Sequence, residues 1–249
     1  MEFKVGSERV TVNTTDMPHL LATVSRALSR RAGFALATLN LDHLVKLRSD
    51  AGFRAAYRAQ DIVTADGNPV VWMARLAGQP VDLLPGADLI VPLCELAAAH
   101  GAPIGLVGST KASLDRAAAA LVAAVPGLTV AITLSPPMGI DPASAAADGI
   151  FAKLEKAGVG LCFLALGAPK QEILAARGRI GSPQIGFVSI GAGLDFLSGA
   201  QTRAPDWVRA LALEWMWRML SQPRRMIVRY TRCALILPGH VWRSWRMRG

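Results

Sequence analysis

The sequence predicts an α/β fold: a mostly parallel sheet with helices on both faces, followed by a basic helical appendage toward the C terminus. Three observations carry this expectation. Short runs that are apolar throughout recur along most of the chain, as strands buried on both faces do. Segments with helical spacing separate them, which is the alternation of a sheet wound with crossover helices. Of the 249 residues, 52% are hydrophobic and 18% charged, enough for one large core and unlike a disordered chain.

Taken in order, Phe3–Val5 and Val10–Asn13 read as a short extended start. Strands are expected at Phe34–Leu39, Ile62–Ala65, Ile104–Val107, Leu128–Leu134, Leu161–Leu166 and Ile185–Ile190. Helical spacing marks Leu20–Leu28, Leu44–Tyr57, Val70–Leu76, Leu89–Ala99, Leu114–Val125, Ala143–Leu154 and Glu172–Arg177, with Asp16, Asp42 and Asp141 placed as N-caps. The outline is Rossmann-like, but Gly191-Ala-Gly193 does not complete a dinucleotide fingerprint because residue 196 is Phe. A Walker A loop is also absent.

The formal charge of +9 is unevenly spread. From Arg203 onward there are ten arginines, no lysines and two acids, Asp206 and Glu214, whereas the first 202 residues hold 17 basic and 16 acidic side chains. Trp207, Trp215, Trp217, Trp242 and Trp245 lie in the same basic segment. Arginine mixed with tryptophan suits an anionic membrane surface. Two other readings stand beside it: tryptophans packed on the body with arginines in water, or a nucleic-acid surface built on stacking. No apolar segment follows Met1, so no signal peptide is expected. The uncharged stretch 117–140 is broken by Pro126-Gly127 and Pro136-Pro137 and does not read as a span. Cys94, Cys162 and Cys233 lie far apart and read as buried fillers in a reducing cytoplasm, and His19, His43, His100 and His240 lack metal or triad spacing.

In such sheets ligands bind beyond the carboxyl ends of the strands. Five strand ends carry unusual chemistry there: Thr38 with Asn40, Asp66-Gly67, Gly108-Ser-Thr, Gly167-Ala-Pro-Lys-Gln-Glu172, and Gly191-Ala-Gly-Leu-Asp195. Glycine turns that open helices present unpaired N–H groups and a positive dipole end, which suits a diphosphate; Lys170 would add a cation and Gln171 a donor. Each feature also has a structural reading: Asp66 and Asp195 as caps, Pro169 as a helix starter, Lys170 as a solvated side chain.

These strand ends resemble the WecG/TagA/CpsF glycosyltransferases. The similarity runs from about Thr38 to Tyr230 and includes Pro85-Gly-Ala-Asp-Leu89, Arg203-Ala-Pro205, Leu213-Glu-Trp-Met-Trp-Arg218, Gln222-Pro-Arg224 and Arg229-Tyr230. The resemblance implies an inverting, membrane-associated enzyme that carries a sugar from a UDP donor to a polyprenyl-diphosphate-linked saccharide in cell-surface or exopolysaccharide synthesis. It implies Asp66 as general base with Thr38 and Asn40 beside it. Gly108, Gly139, Gly167, Pro169, Lys170, Gln171, Glu172, Gly191 and Asp195 are implied as donor contacts. Arg203, Arg218, Arg224, Arg225 and Arg229 are implied as the clamp on the acceptor diphosphate. Residues 1–202 would be the catalytic domain and 203–249 the membrane- and acceptor-binding appendage, at the cytoplasmic face of the inner membrane. The chain departs from the family where many members carry an arginine and this sequence has Leu83. The Ser135-Pro-Pro-x-Gly139 loop is more similar to the exopolysaccharide glucosyltransferase branch. No Asp-x-Asp occurs near a strand end, so no metal is expected to hold the diphosphate; the UDP-sugar is a substrate, so no cofactor is expected, and nucleic acid is not among the expected partners. Homo-oligomerisation stays open. The alternative is a non-catalytic nucleotide-binding module tethered by its basic tail.

Overall fold

The computed structural model describes residues 1–248 other than Ser7, Asp206, Arg209, Ala210 and Gln222; the side chain of Arg225 also lies outside the described residues. A small antiparallel pair, β1 (Glu2–Val5) and β2 (Glu8–Thr11), precedes the main sheet. That sheet has six parallel strands: β3 (Phe34–Leu39), β4 (Ile62–Ala65), β5 (Ile104–Gly108), β6 (Val130–Leu134), β7 (Leu161–Ala165) and β8 (Gly186–Ser189). Their spatial order is β4-β3-β8-β7-β5-β6. The fold is the expected α/β, Rossmann-like one, with every carboxyl end on a single edge.

The helices are α1 (Met17–Ser29), α2 (Leu41–Leu47), α3 (Ala51–Arg58), α4 (Asn68–Leu76), α5 (Gly86–Ala99), α6 (Lys111–Ala124), α7 (Ala145–Lys156), α8 (Lys170–Gly181), α9 (Gly193–Leu197), α10 (Glu214–Ser221) and α11 (Pro223–Arg246). Leu36, Leu106, Phe163 and Val188 face one way, onto α1, α5 and α6 through Leu20, Leu93 and Leu114. Ala35, Cys162, Leu164 and Phe187 face the other way, onto α7 and α8 through Phe151, Leu154 and Leu174. This double burial explains why the strands read as unbroken apolar runs. A third cluster gathers Ala37, Leu39 and Val63 with Phe3, Val10, Phe53, Val70 and Ile236 of α11.

Local chemistry corrects several sequence boundaries. The segment Leu44–Tyr57 is two helices, because the Asp50 carboxylate accepts the Phe53 N–H and starts α3 afresh. Asp16 caps α1 as expected, but Asp42 lies inside the first turn of α2, whose cap is Asn40. Asp141 accepts the Ala143 N–H in the turn ahead of α7, and Ser144 occupies the cap position. Neither Asp66 nor Asp195 is a cap: Gly67 and Ala192 stand at those positions.

Helix α11 has two faces. Met226, Cys233, Ile236, His240 and Ser244 recur at helical spacing and are buried against the body, where α2 and α4 lie beneath them. Ile227, Val228, Leu235, Trp242 and Trp245 lie on the opposite face and are exposed. Pro238 interrupts the helix from within. Trp207, Trp215, Trp242 and Trp245 are 47–65% exposed, which departs from the reading in which tryptophans pack on the body. No described helix is long and apolar enough to cross a membrane.

Glycine is demanded at the end of β5. Gly108 has φ +115°, and a Cβ there would stand 2.4 Å from the Ala165 carbonyl oxygen of the neighbouring strand. Gly108→Ala should therefore destabilise the protein by about 2 kcal/mol or more, read as a fall in Tm of roughly 4–8 °C.

Candidate functional site

A cleft of about 770 Å³ opens above the carboxyl ends of β3, β4, β7 and β8 and is closed on its far side by α10 and α11. A second cavity of about 560 Å³ lies at the opposite edge, lined by Leu28, His100, Glu155 and Pro183, beyond the C-terminal ends of α1, α5 and α7. The larger cleft holds the polar strand ends, so the chemistry is sought there.

Asp66 stands one residue beyond the paired end of β4, where Leu39 of β3 lies beside Ala65. Its Oδ2 accepts from Thr38 Oγ1 and Asn40 Nδ2, both at 3.3 Å. Asn40 faces two ways: its Oδ1 accepts the His43 N–H at 2.9 Å and so caps α2. That contact fixes the amide with its NH₂ toward Asp66. Burial raises the Asp66 pKa, an effect opposed by the Asn40 hydrogen bond and by the positive charge of Arg218. Behind Thr38, the Tyr57 hydroxyl donates to the Thr38 carbonyl at 2.9 Å and lies 2.7 Å from His43 Nδ1. With its one proton given to Thr38, Tyr57 accepts from His43, so Nδ1 carries the hydrogen. Burial, with Lys46 nearby, pushes the His43 pKa down to about 3 and keeps the ring neutral.

The two glycine turns depart from the expectation of unpaired amides. Gly167 N–H and Gly191 N–H both donate to Gln171 Oε1, each at 3.2 Å. Gln171 Nε2 in turn donates to Glu172 Oε1 at 2.8 Å. Gln171 is 2% exposed and Glu172 fully buried, so these side chains lie beneath the turns rather than extending as donors into the cleft. Burial raises the Glu172 pKa to about 7. Asp195 lines the cleft, its two oxygens taken by Ser109 Oγ at 2.5 Å and Gln201 Nε2 at 3.0 Å.

Thr38, Asn40, Asp66, Gly167, Gln171, Gly191, Asp195, Arg203, Arg218 and Arg229 all border this cleft. Gly108, Gly139, Pro169, Lys170, Glu172 and Arg224 do not. Gly139 is in an exposed loop and Arg224 on an exposed turn of α11, while Gly108 is buried in the sheet. The arginines that do reach the cleft are held by acids: Arg203 by Asp88 at 2.5 Å, Arg218 by Glu214 at 2.5 Å and Arg229 by Asp42 at 3.2 Å. Arg203 and Arg218 also lie over the Phe196 ring, 6.0 and 5.8 Å from its centroid.

Sequence reasoning missed Lys46, Asp42 and Tyr57. Asp42 Oδ2 binds Lys46 Nζ at 3.0 Å as well as Arg229, and Lys46 also donates to the Ala168 carbonyl at 3.1 Å. The available signal was the Asp42/Lys46 spacing of four on the helix that Asn40 opens. Among the described residues no three His, Cys, Asp or Glu side chains gather as a metal ion would need.

Fold and cleft together define an α/β protein with a polar cleft at the carboxyl edge of a parallel sheet, bordered by a partly buried carboxylate and by cations from the C-terminal segment. The family model described as Glycosyl transferase WecG/TagA/CpsF matches residues 7–249, and the chain belongs to that family. It is a glycosyltransferase of cell-surface polymer synthesis.

The Tyr57 prop gives a direct test of the site's scaffold. Tyr57→Phe leaves the Thr38 carbonyl and the His43 N–H without their partner. Stability from urea unfolding should fall by about 1–3 kcal/mol, the usual cost of stranding buried polar groups.

Proposed function

We propose that this glycosyltransferase moves a sugar from a UDP donor, with inversion, onto a polyprenyl-diphosphate-linked saccharide at the cytoplasmic face of the inner membrane. The observation that carries the reading is Asp66: a carboxylate raised in pKa by burial, steadied by two donors, and sharing one cleft with the glycine turns and with Arg203, Arg218 and Arg229. In an inverting transfer the acceptor hydroxyl attacks the anomeric carbon opposite the leaving UDP. Asp66 takes the hydroxyl proton, a role worth ~10²–10⁴ in rate. Thr38 and Asn40 keep the receiving oxygen in place. The donor diphosphate lies toward the Gly167 and Gly191 turns, where Lys46 meets part of the leaving charge; Arg203, Arg218 and Arg229 take the acceptor diphosphate. In this assignment residues 1–202 do the chemistry and 203–249 bring the acceptor.

A base must be deprotonated to work. kcat/KM should therefore fall as the pH drops through a midpoint above the ordinary aspartate value of 3.8, because the Asp66 pKa is raised. Asp66→Asn should abolish that acid limb and cut turnover by ~10²-fold or more while UDP still binds. Wild-type turnover in this variant removes Asp66 from the mechanism.

Attachment to the membrane rests on the outer face of α11 and its neighbours. Exposed Trp242 and Trp245 lie among Arg243 and Arg246, with Arg246 4.4 Å from the Trp242 ring centroid. Such a surface is amphipathic in the way headgroups require. Truncating α11 would uncover the cluster around Ile236, so exposed side chains are the better probes. Trp242→Ser combined with Trp245→Ser should leave Tm unchanged and cut flotation with anionic liposomes by roughly tenfold, about the loss of one buried aromatic anchor. Undiminished flotation removes this face from membrane attachment.

A further inference from the structure

Gln171 and Glu172 are adjacent, buried and polar, and they sit where two strands that neighbour each other in the sheet, β7 and β8, give way to glycine turns. Both turns need their glycines: Gly167 has φ +72° and Gly191 φ +59°. One atom, Gln171 Oε1, accepts the N–H of each. A carboxamide has two orientations, and a flip exchanges its oxygen for its NH₂. In the flipped state two N–H donors would face an NH₂, and the Gln171 oxygen would face the Glu172 carboxyl. The observed state satisfies every pair, because Glu172 Oε1 accepts from Nε2 at 2.8 Å.

Glu172 is itself anchored. Its main-chain oxygen accepts from Gln60 Nε2 at 3.1 Å, and Gln60 also donates to the Ala56 carbonyl on α3 at 2.9 Å. The second carboxyl oxygen, Oε2, is buried without a hydrogen-bond partner. A carboxyl in such a place is costly to keep, and an apolar side chain would fill the space more cheaply. Its carboxyl makes one hydrogen bond to another side chain, that from Gln171.

We propose that Glu172 is a positioning residue: acting through Gln171, it selects the carboxamide orientation that ties the Gly167 and Gly191 turns together and thereby shapes the donor end of the cleft. The inference rests on the donor reading above for its ligand, UDP, but the hydrogen-bond relay is testable without ligand. In Gln171→Glu, two carboxyls face each other in the core. Exchanging both residues, Gln171→Glu with Glu172→Gln, rebuilds the same pattern with roles reversed: residue 171 still accepts from the two glycine amides, and residue 172 now donates to it.

Four full-length variants test this at pH 8: Q171E, the exchange Q171E/E172Q, E172L and E172Q. UDP affinity is measured by calorimetry, folding by Tm, and protection of the Gly167 and Gly191 amides by hydrogen exchange in ligand-free protein. Q171E and E172L should each lose about tenfold in UDP affinity, the scale of one buried hydrogen bond, along with amide protection. The exchange and E172Q should each return to within about threefold of wild type, since both restore a matched partner. If the exchange stays as weak as Q171E, or if E172L keeps both affinity and protection, the proposal is overturned. Should Q171E fail to fold, the E172L–E172Q comparison decides alone. Should wild type not bind UDP, the donor reading fails, and the amide protections still judge Glu172.

Discussion

All six strands of the main sheet run the same way, and the consequence falls on one edge. There the backbone leaves the ladder, the flanking helices begin, and polar groups of several strand ends meet without sheet partners. Much of what is distinctive about this molecule is a response to that edge. Asn40 caps a helix with one end of its amide and holds Asp66 with the other. Gln171 takes two turn amides on one oxygen. Tyr57 takes the carbonyl of Thr38. The cleft is thus assembled from side chains whose first task is to satisfy the backbone, and Asp66 stands among them with one oxygen, Oδ2, held by Thr38 and Asn40.

The C-terminal segment completes this edge rather than standing apart from it. Asp42, on a body helix, holds Lys46 of the same helix and Arg229 of α11 on a single oxygen. One carboxylate therefore joins the near-neutral body to the strongly basic segment at the mouth of the cleft. Phe196 does a related job at the other wall, presenting its ring to Arg203 and Arg218. Among the described residues, the cations that border the cleft are each matched by an acid, which keeps them ordered instead of dispersed over the surface.

The architecture was legible because strands buried on both faces have no polar alternation to confuse with helices, and every one of the six main-sheet strands was found. Asp66 and Asn40 could be placed at strand ends because each directly follows an apolar run, and Thr38 because it lies one residue inside the end of β3. What escaped was relational. Asp42 and Asp141 look like caps, and only competition from Asn40 and Ser144 at the true cap positions displaces them. A glycine turn looks like a cradle of unpaired amides until Gln171, four residues after Gly167 in the sequence and twenty before Gly191, fills it. Tyr57 had no local mark, because its partner Thr38 lies on another element, and Lys46 had only its spacing of four from Asp42, since its other partner, the Ala168 carbonyl, comes from a distant part of the chain.

Helix α11 carries one more property. Its 24 residues span about 36 Å, with Arg229 near one end and Trp242 and Trp245 near the other. Pro238 lies between them and has no N–H to offer the carbonyl of Ala234. The helical ladder is therefore thinnest between the turns that reach the cleft and the turns that carry the outer tryptophans. That is where the helix bends most readily, between the Arg229–Asp42 contact and the outer tryptophans, while His240 and Ser244 beyond it hold the aromatic end to the body.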